Sequence, residues 1–150
     1  MSDYGTDVLA WSEHQAALLR RLAAGERVND QVDWENVIEE IEALGISDRR
    51  ELRNRVATVL LHLIKLQASP STEPRSAWRE TVREQRRAIS ALLKDSPSLR
   101  PALQGAINEV LAAAREDAAA ALADHNEQPR ADIGEMCFTV DEVLGPWLPN

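Results

Sequence analysis

The chain has 150 residues, with 17 Lys and Arg against 25 Asp and Glu for a formal charge of −8, and its few aromatics include four Trp. That is one domain's worth of sequence, able to bury roughly 68–70% of the surface its unfolded chain would expose, and its 44% apolar and 28% charged content excludes the disordered class. No apolar run approaches the ~18 residues of a membrane span, and residues 1–10 lack the basic start and apolar stretch of a secretory signal. The reading is a single domain over residues 1–150, soluble and cytoplasmic. Cys137 is the only cysteine, which excludes an internal disulfide framework and a zinc site built on several thiolates. With only His14, His62 and His125 as histidines, metal chemistry would have to lean on carboxylates.

Helix-favouring residues dominate, and Gly, Pro and capping residues fall between helical patterns. Thr6 or Asp7 can cap a first helix to about Ala24, ended by Gly25. Its stripe of Leu9, Trp11, Ala16, Leu19 and Leu22 is loose, which suits the edge of a core. Asp33 can cap a second helix, Trp34 to Leu44, closed by Gly45. Here Trp34, Val37, Ile38, Ile41 and Leu44 share one face at 3.6-residue spacing, with Glu35 and Glu39 pointing away and Glu40 and Glu42 flanking it. Ser47 can cap a third helix reaching about Gln67. Leu52, Val56, Val59, Leu63 and Leu66 form its main stripe, while Leu60, Leu61 and Ile64 spill round the cylinder. A helix apolar on most sides has neighbours on most sides, so this one is expected at the centre.

After the linker 68–74, a fourth helix spans about Arg75 to Lys94, its stripe running Trp78, Val82, Gln85, Ile89, Leu92 and Leu93. The polar Gln85 would cost about 1–3 kcal/mol if buried without a partner. Ser98 can cap a long fifth helix from Leu99 to Leu122, with Pro101 in its first turn. Residues 126–137 read as loop. Thr139 with Glu142 has the spacing of a capping box for a last short helix, and Phe138, Leu144 and Trp147 can fold this piece back. The expected architecture is an all-α bundle of four to five main helices around the third, with a short C-terminal helix.

Charge is zoned: residues 1–48 carry −8, residues 49–87 carry +6 and residues 88–150 carry −6. Arg supplies nearly all the cations, and Arg forms bidentate pairs that Lys cannot. One reading pairs Glu40 or Glu42 with Arg83 or Arg86 in partly buried ion pairs. The other makes Arg49, Arg50, Arg53, Arg55, Arg75, Arg79, Arg83, Arg86 and Arg87 an anion-binding face for phosphate or nucleic acid. An overall −8 starts nucleic acid from long-range repulsion, and aromatic interleaving is missing.

The candidate polar cluster comprises Glu40, Glu42, His62, Lys65, Arg83, Gln85 and Arg86, with Trp34 and Trp78 as aromatic packing. Carboxylates near a histidine on a neighbouring helix can hold a divalent metal or move protons, but the Glu-x-x-His spacing of helical carboxylate sites is absent and no metal is assigned. The turn Leu44-Gly45-Ile46-Ser47 ahead of Arg49, Arg50 and Arg53 superficially suggests a helix-turn-helix, which the apolar third helix and acidic second helix argue against. Cys137 beside Phe138 reads as a packed residue, since no base is specified for it.

The ordered set Tyr4-x-x-Asp7-x-x-Ala10-Trp11, Asp33-Trp34-Glu35-Asn36-x-x-Glu39-Glu40-Ile41-Glu42-x-Leu44-Gly45, Glu51-Leu52 with Leu60-Leu61-His62-Leu63-x-Lys65, Arg75-Ser76-x-Trp78, Arg83-Glu84-Gln85-Arg86 and Ser96-Pro97-Ser98-Leu99 resembles the bacterial domain-of-unknown-function 29 family over nearly the whole chain. Met136-Cys137-Phe138 departs from the prolines and tyrosine of that pattern. The resemblance implies a compact all-helical bacterial domain without an established activity, with Trp34, Glu40, Glu42, His62, Lys65, Trp78, Arg83, Gln85 and Arg86 at its signature positions. The function expected is a non-enzymatic interaction or adaptor domain with a buried Glu/His/Arg network, its apolar patch near Trp11 or Trp147, binding a protein partner or a second copy. The alternatives are a metal- or anion-dependent enzyme centred on Glu40, Glu42, His62 and Arg86, and phosphate or nucleic-acid binding through residues 49–87. The residues specify no cofactor and no membrane association.

Overall fold

A computed structural model describes residues 3–150; Met1 and Ser2 lie outside the described residues. The described residues form five α-helices and no strand. These are α1 (Val8–Ala23), α2 (Trp34–Ala68), α3 (Arg75–Asp95), α4 (Leu103–Asp124) and α5 (Val140–Leu144). The chain divides into two compact units, Met1–Ser47 and Asp48–Asn150. None of the helices is long and apolar enough to cross a membrane.

The first unit is built on α1 and the start of α2. Asp7 caps α1, its carboxylate accepting from Ala10 N–H at 3.0 Å. Gly25 follows the helix at φ +94°, a left-handed conformation that a side chain would strain. Trp11, Leu18, Val28, Val32 and Val37 form a small core, with Tyr4, Leu19 and Leu22 packed against it. Trp11 is therefore interior, contrary to its reading as the centre of an exposed patch. Its Nε1 donates to Asp33 Oδ2 at 2.9 Å, Asn36 Nδ2 donates to the same oxygen, and Asp33 N–H donates to the buried Gln15. These bonds fix the chain at its entry into α2.

The second and third helices expected from the sequence are one helix of 35 residues. Gly45 does not end it, nor does Ser47 start another. Gly costs a helix interior about 1 kcal/mol relative to Ala. A break there would strand up to four carbonyls and four N–H groups and require a new nucleus, which is the larger cost.

The second unit surrounds residues 48–68 of α2. Leu52, Val56, Val59, Leu60, Leu63, Ile64 and Leu66 are all buried, as the apolar surface on most sides of this segment requires. Val82, Ile89 and Leu93 of α3 join the same core, as do Leu103, Ile107, Ala114, Ala118 and Leu122 of α4. A 3-10 turn over Pro97–Ala102 precedes α4, so Ser98 is not its cap. The turn starts at Pro97, and Pro101, four residues on, has no N–H for the Pro97 carbonyl, so an α-helical bond is missing there. Thr139 and Glu142 form the expected capping box on α5. Gly145 then closes it tightly, because a Cβ there would lie 2.5 Å from the Asp141 carbonyl oxygen. Ile133, Met136, Phe138 and Val143 bury the tail on the core.

The end of α2 is satisfied carbonyl by carbonyl. Ser69 N–H donates to Lys65 O, and Arg75 Nη1 and Arg130 Nη2 both donate to Leu66 O, at 2.7 and 2.9 Å. Arg130 Nε serves Gln67 O and its backbone N–H serves Ala68 O. Two guanidinium groups thus sit at the negative end of the helix dipole.

Candidate functional site

The polar residues singled out from the sequence are distributed over both units: Glu40, His62, Lys65, Gln85 and Arg86 each have partners of their own, while Glu42 and Arg83 stand exposed. In the first unit, Glu40 accepts a 2.6 Å hydrogen bond from Tyr4 Oη. That bond, with burial and the nearby acidic groups, pushes the phenol up to about 12. Glu42 is exposed. In the second unit, His62 Nδ1 donates to Thr58 O at 2.8 Å. Burial holds the imidazole below its usual pKa, with neighbouring Lys65 acting the same way against the opposing bond to Thr58. Arg83 is exposed.

Arg86 is buried, and its donors go to backbone carbonyls: Nε to Val143 at 2.8 Å and Nη2 to Glu142 and Trp147 at 2.7 Å each. The expected carboxylate partner is replaced by a clamp on the C-terminal segment. Burial lowers the pKa of this guanidinium, with Arg83 adding to the effect. Gln85 is accounted for as well, because Arg55 Nη1 donates to its Oε1 at 3.2 Å while Arg55 Nε pairs with Glu51 at 3.0 Å. Among the described residues the other ion pairs are Arg21–Glu26 and Arg53–Glu109. No three His, Cys, Asp or Glu side chains among the described residues come together as a metal-binding group.

Lys65 and Trp78 do meet. The ammonium lies 5.7 Å from the indole centroid, in range for a cation–π contact. Both line a cleft of about 620 Å³ in the second unit, together with Ser71, His125 and Glu127. Glu127 is held by the hydroxyls of Ser71 and Ser69. The Ser71 bond is the main reason its carboxyl lies below the usual range. The sequence reading missed Ser71 and Glu127 because both fall in segments read as linker and loop. The signal available was the pair of serines beside Pro70 and ahead of Pro74, a stiffened turn rather than a slack one.

The other notable surface belongs to the first unit. Of the clean stripe on the N-terminal part of α2, Val37 alone is buried, at 8% exposure; Trp34 is 43% exposed, Ile38 51%, Ile41 64% and Leu44 70%. Trp34 is thus not a core residue. Its Nε1 donates to Asn29 O at 2.7 Å, which holds the indole in place at the surface. Every residue from Ile41 to Ser47 is exposed. The spacing of residues 34, 38, 41 and 44 puts these four side chains within one wedge of the helix, over a length of about 15 Å.

The sequence model of a family described as "Domain of unknown function DUF29" matches residues 4–148. A crystal structure of an alpha-helical protein of unknown function from Rhodospirillum rubrum is similar, with a TM-score of 0.65 and 28% sequence identity, over 95% of this chain and 89% of that one. No curated protein matches.

Proposed function

We propose that this chain, which belongs to the family Domain of unknown function DUF29, is a non-enzymatic interaction module that is soluble and works in the cytoplasm. The observation that carries this reading is the uncovered stripe Trp34, Ile38, Ile41 and Leu44. Single exposed apolar residues are ordinary, but four aligned on one helix face amount to a patch on the order of a few hundred Å², comparable to the largest patch on a typical monomer, which is often functional. The stripe is also pre-organised. It lies on regular helix, and Trp34 is tied back to Asn29, so little freedom is lost on docking.

The acid–base alternative draws less support. Arg86 is spent on three carbonyls, His62 is engaged with Thr58, and Glu40 is engaged with Tyr4. The test is photo-crosslinking in cells from a probe at position 38 or 41, with the exposed Ser90 on α3 as the control position. A discrete adduct from 38 and 41 that is absent from 90 is the expected result. The same adducts from all three positions, or none, would overturn the reading.

A further inference from the structure

We infer that the partner seated on this stripe is a basic amphipathic helix; the inference rests on the interaction-module reading and names the chemistry of what docks. From Val28 to Asp48 the chain carries seven acidic residues and no Lys or Arg. Glu35, Glu39 and Glu42 are exposed alongside Trp34, Ile38 and Ile41. Helical spacing puts Glu42 at one edge of the stripe, Glu35 just beyond it and Glu39 toward the opposite face. An apolar strip with carboxylates along one edge is complementary to a helix with apolar residues at i, i+3, i+4 and i+7 and Lys or Arg beside them.

The same charges argue against other occupants. Residues 1–47 carry three basic and ten acidic side chains, net −7. A second copy docked face to face would set two such surfaces together with no cation in either stripe to relieve them. The stripe is also well short of the roughly 800 Å² per partner that a standard stable interface uses. Anionic lipid surfaces and nucleic acid meet the same repulsion. A helix of about three turns, by contrast, is covered end to end by the 15 Å stripe.

The test uses the full chain and two synthetic helical peptides of about 14 residues, one Leu/Lys and one Leu/Glu, sharing the same apolar spacing. Binding is followed by Trp fluorescence and calorimetry. The expected result is that the Leu/Lys peptide binds and the Leu/Glu peptide does not. Affinity should fall at least about tenfold in E35Q/E39Q/E42Q, by a similar factor when salt is raised from roughly 0.05 to 0.5 M, and at least as much in I38Q/I41Q. Leu/Lys binding that I38Q/I41Q leaves unchanged is unspecific charge attraction and overturns the inference. So does equal binding of the Leu/Glu peptide, or binding of neither. Sedimentation of the full chain then separates the two levels. Self-association lost in I38Q/I41Q sinks the basic-helix partner and keeps the interaction face, whereas a monomer that binds neither peptide counts against both.

Discussion

The two halves of α2 are written in the same apolar code and meet opposite environments. From Leu52 to Leu66 the apolar stripe is buried among α3, α4 and the C-terminal tail, and Leu63 is wholly enclosed. From Trp34 to Leu44 a cleaner stripe stands open, with Val37 alone turned into the small core of the first unit. Periodicity reports that a helix has a face in need of cover. It does not report whether the cover belongs to the same chain. The neighbouring charge separates the cases: the open half is edged by glutamates, while around the buried half the arginines reach past the core to carbonyls, as Arg86 and Arg130 do.

The largest effect belongs to the buried half. Leu63→Ala should lower unfolding free energy by about 2–5 kcal/mol in urea titrations, the usual cost of a core cavity. A loss below 1 kcal/mol would mean that this segment is not central. Next comes the end of the same helix, where Arg130→Ala strips donors from Leu66 O and Gln67 O. The expected loss is about 1–2 kcal/mol, moderated because this side chain is partly in water. Arg130→Lys should not restore it, since one ammonium cannot reproduce the forked geometry.

Gly45→Ala tests the join between the halves, and its sign matters more than its size. In a continuous helix, with open space where the Cβ would go, the substitution should stabilise by roughly 0.5–1 kcal/mol. Had Gly45 been the left-handed cap that the sequence suggests, the same substitution would destabilise. A smaller effect is expected from His62. Burial lowers its pKa in the folded chain, so the unfolded chain takes up a proton first as the pH falls. The stability tied to the neutral imidazole is therefore present above the ordinary histidine range and lost on acidification through it. His62→Asn keeps a donor for Thr58 O and should flatten the difference in urea midpoint between pH 7.5 and 5.5. An unchanged difference would place the titration elsewhere.

The sequence made legible what depends on local chemistry. Asp7 as the cap, one of the two residues read for it, Gly25, the Thr139–Glu142 box, the burial of the stripe Leu52, Val56, Val59, Leu63 and Leu66 and the short final helix all stand as read. What it obscured depends on competition between alternatives. Gly45 and Ser47 have the chemistry of a stop and a start, yet one glycine costs less than breaking the hydrogen-bond ladder. Ser98 gave way to a 3-10 turn that starts at Pro97, because Pro101 cannot donate to the Pro97 carbonyl. The paired-charge expectation for Arg86 failed because backbone carbonyls can also satisfy a guanidinium's donors, though without neutralising its charge, and the carbonyls in question lie near the end of the chain, 56 or more residues away. The Lys65–Trp78 cleft, with Glu127 held by two serines, needed three segments brought together that no spacing rule connects.

The stripe of the open half is kept for a partner rather than for the fold. The most direct test of this is the unfolding free energy of I38Q/I41Q, a pair of substitutions that keeps helix propensity and removes the apolar face. An unchanged value, within about 0.5 kcal/mol of the parent, is what the account expects of surface positions. A loss of about 2 kcal/mol or more would show that the fold itself covers these side chains, and would contradict it.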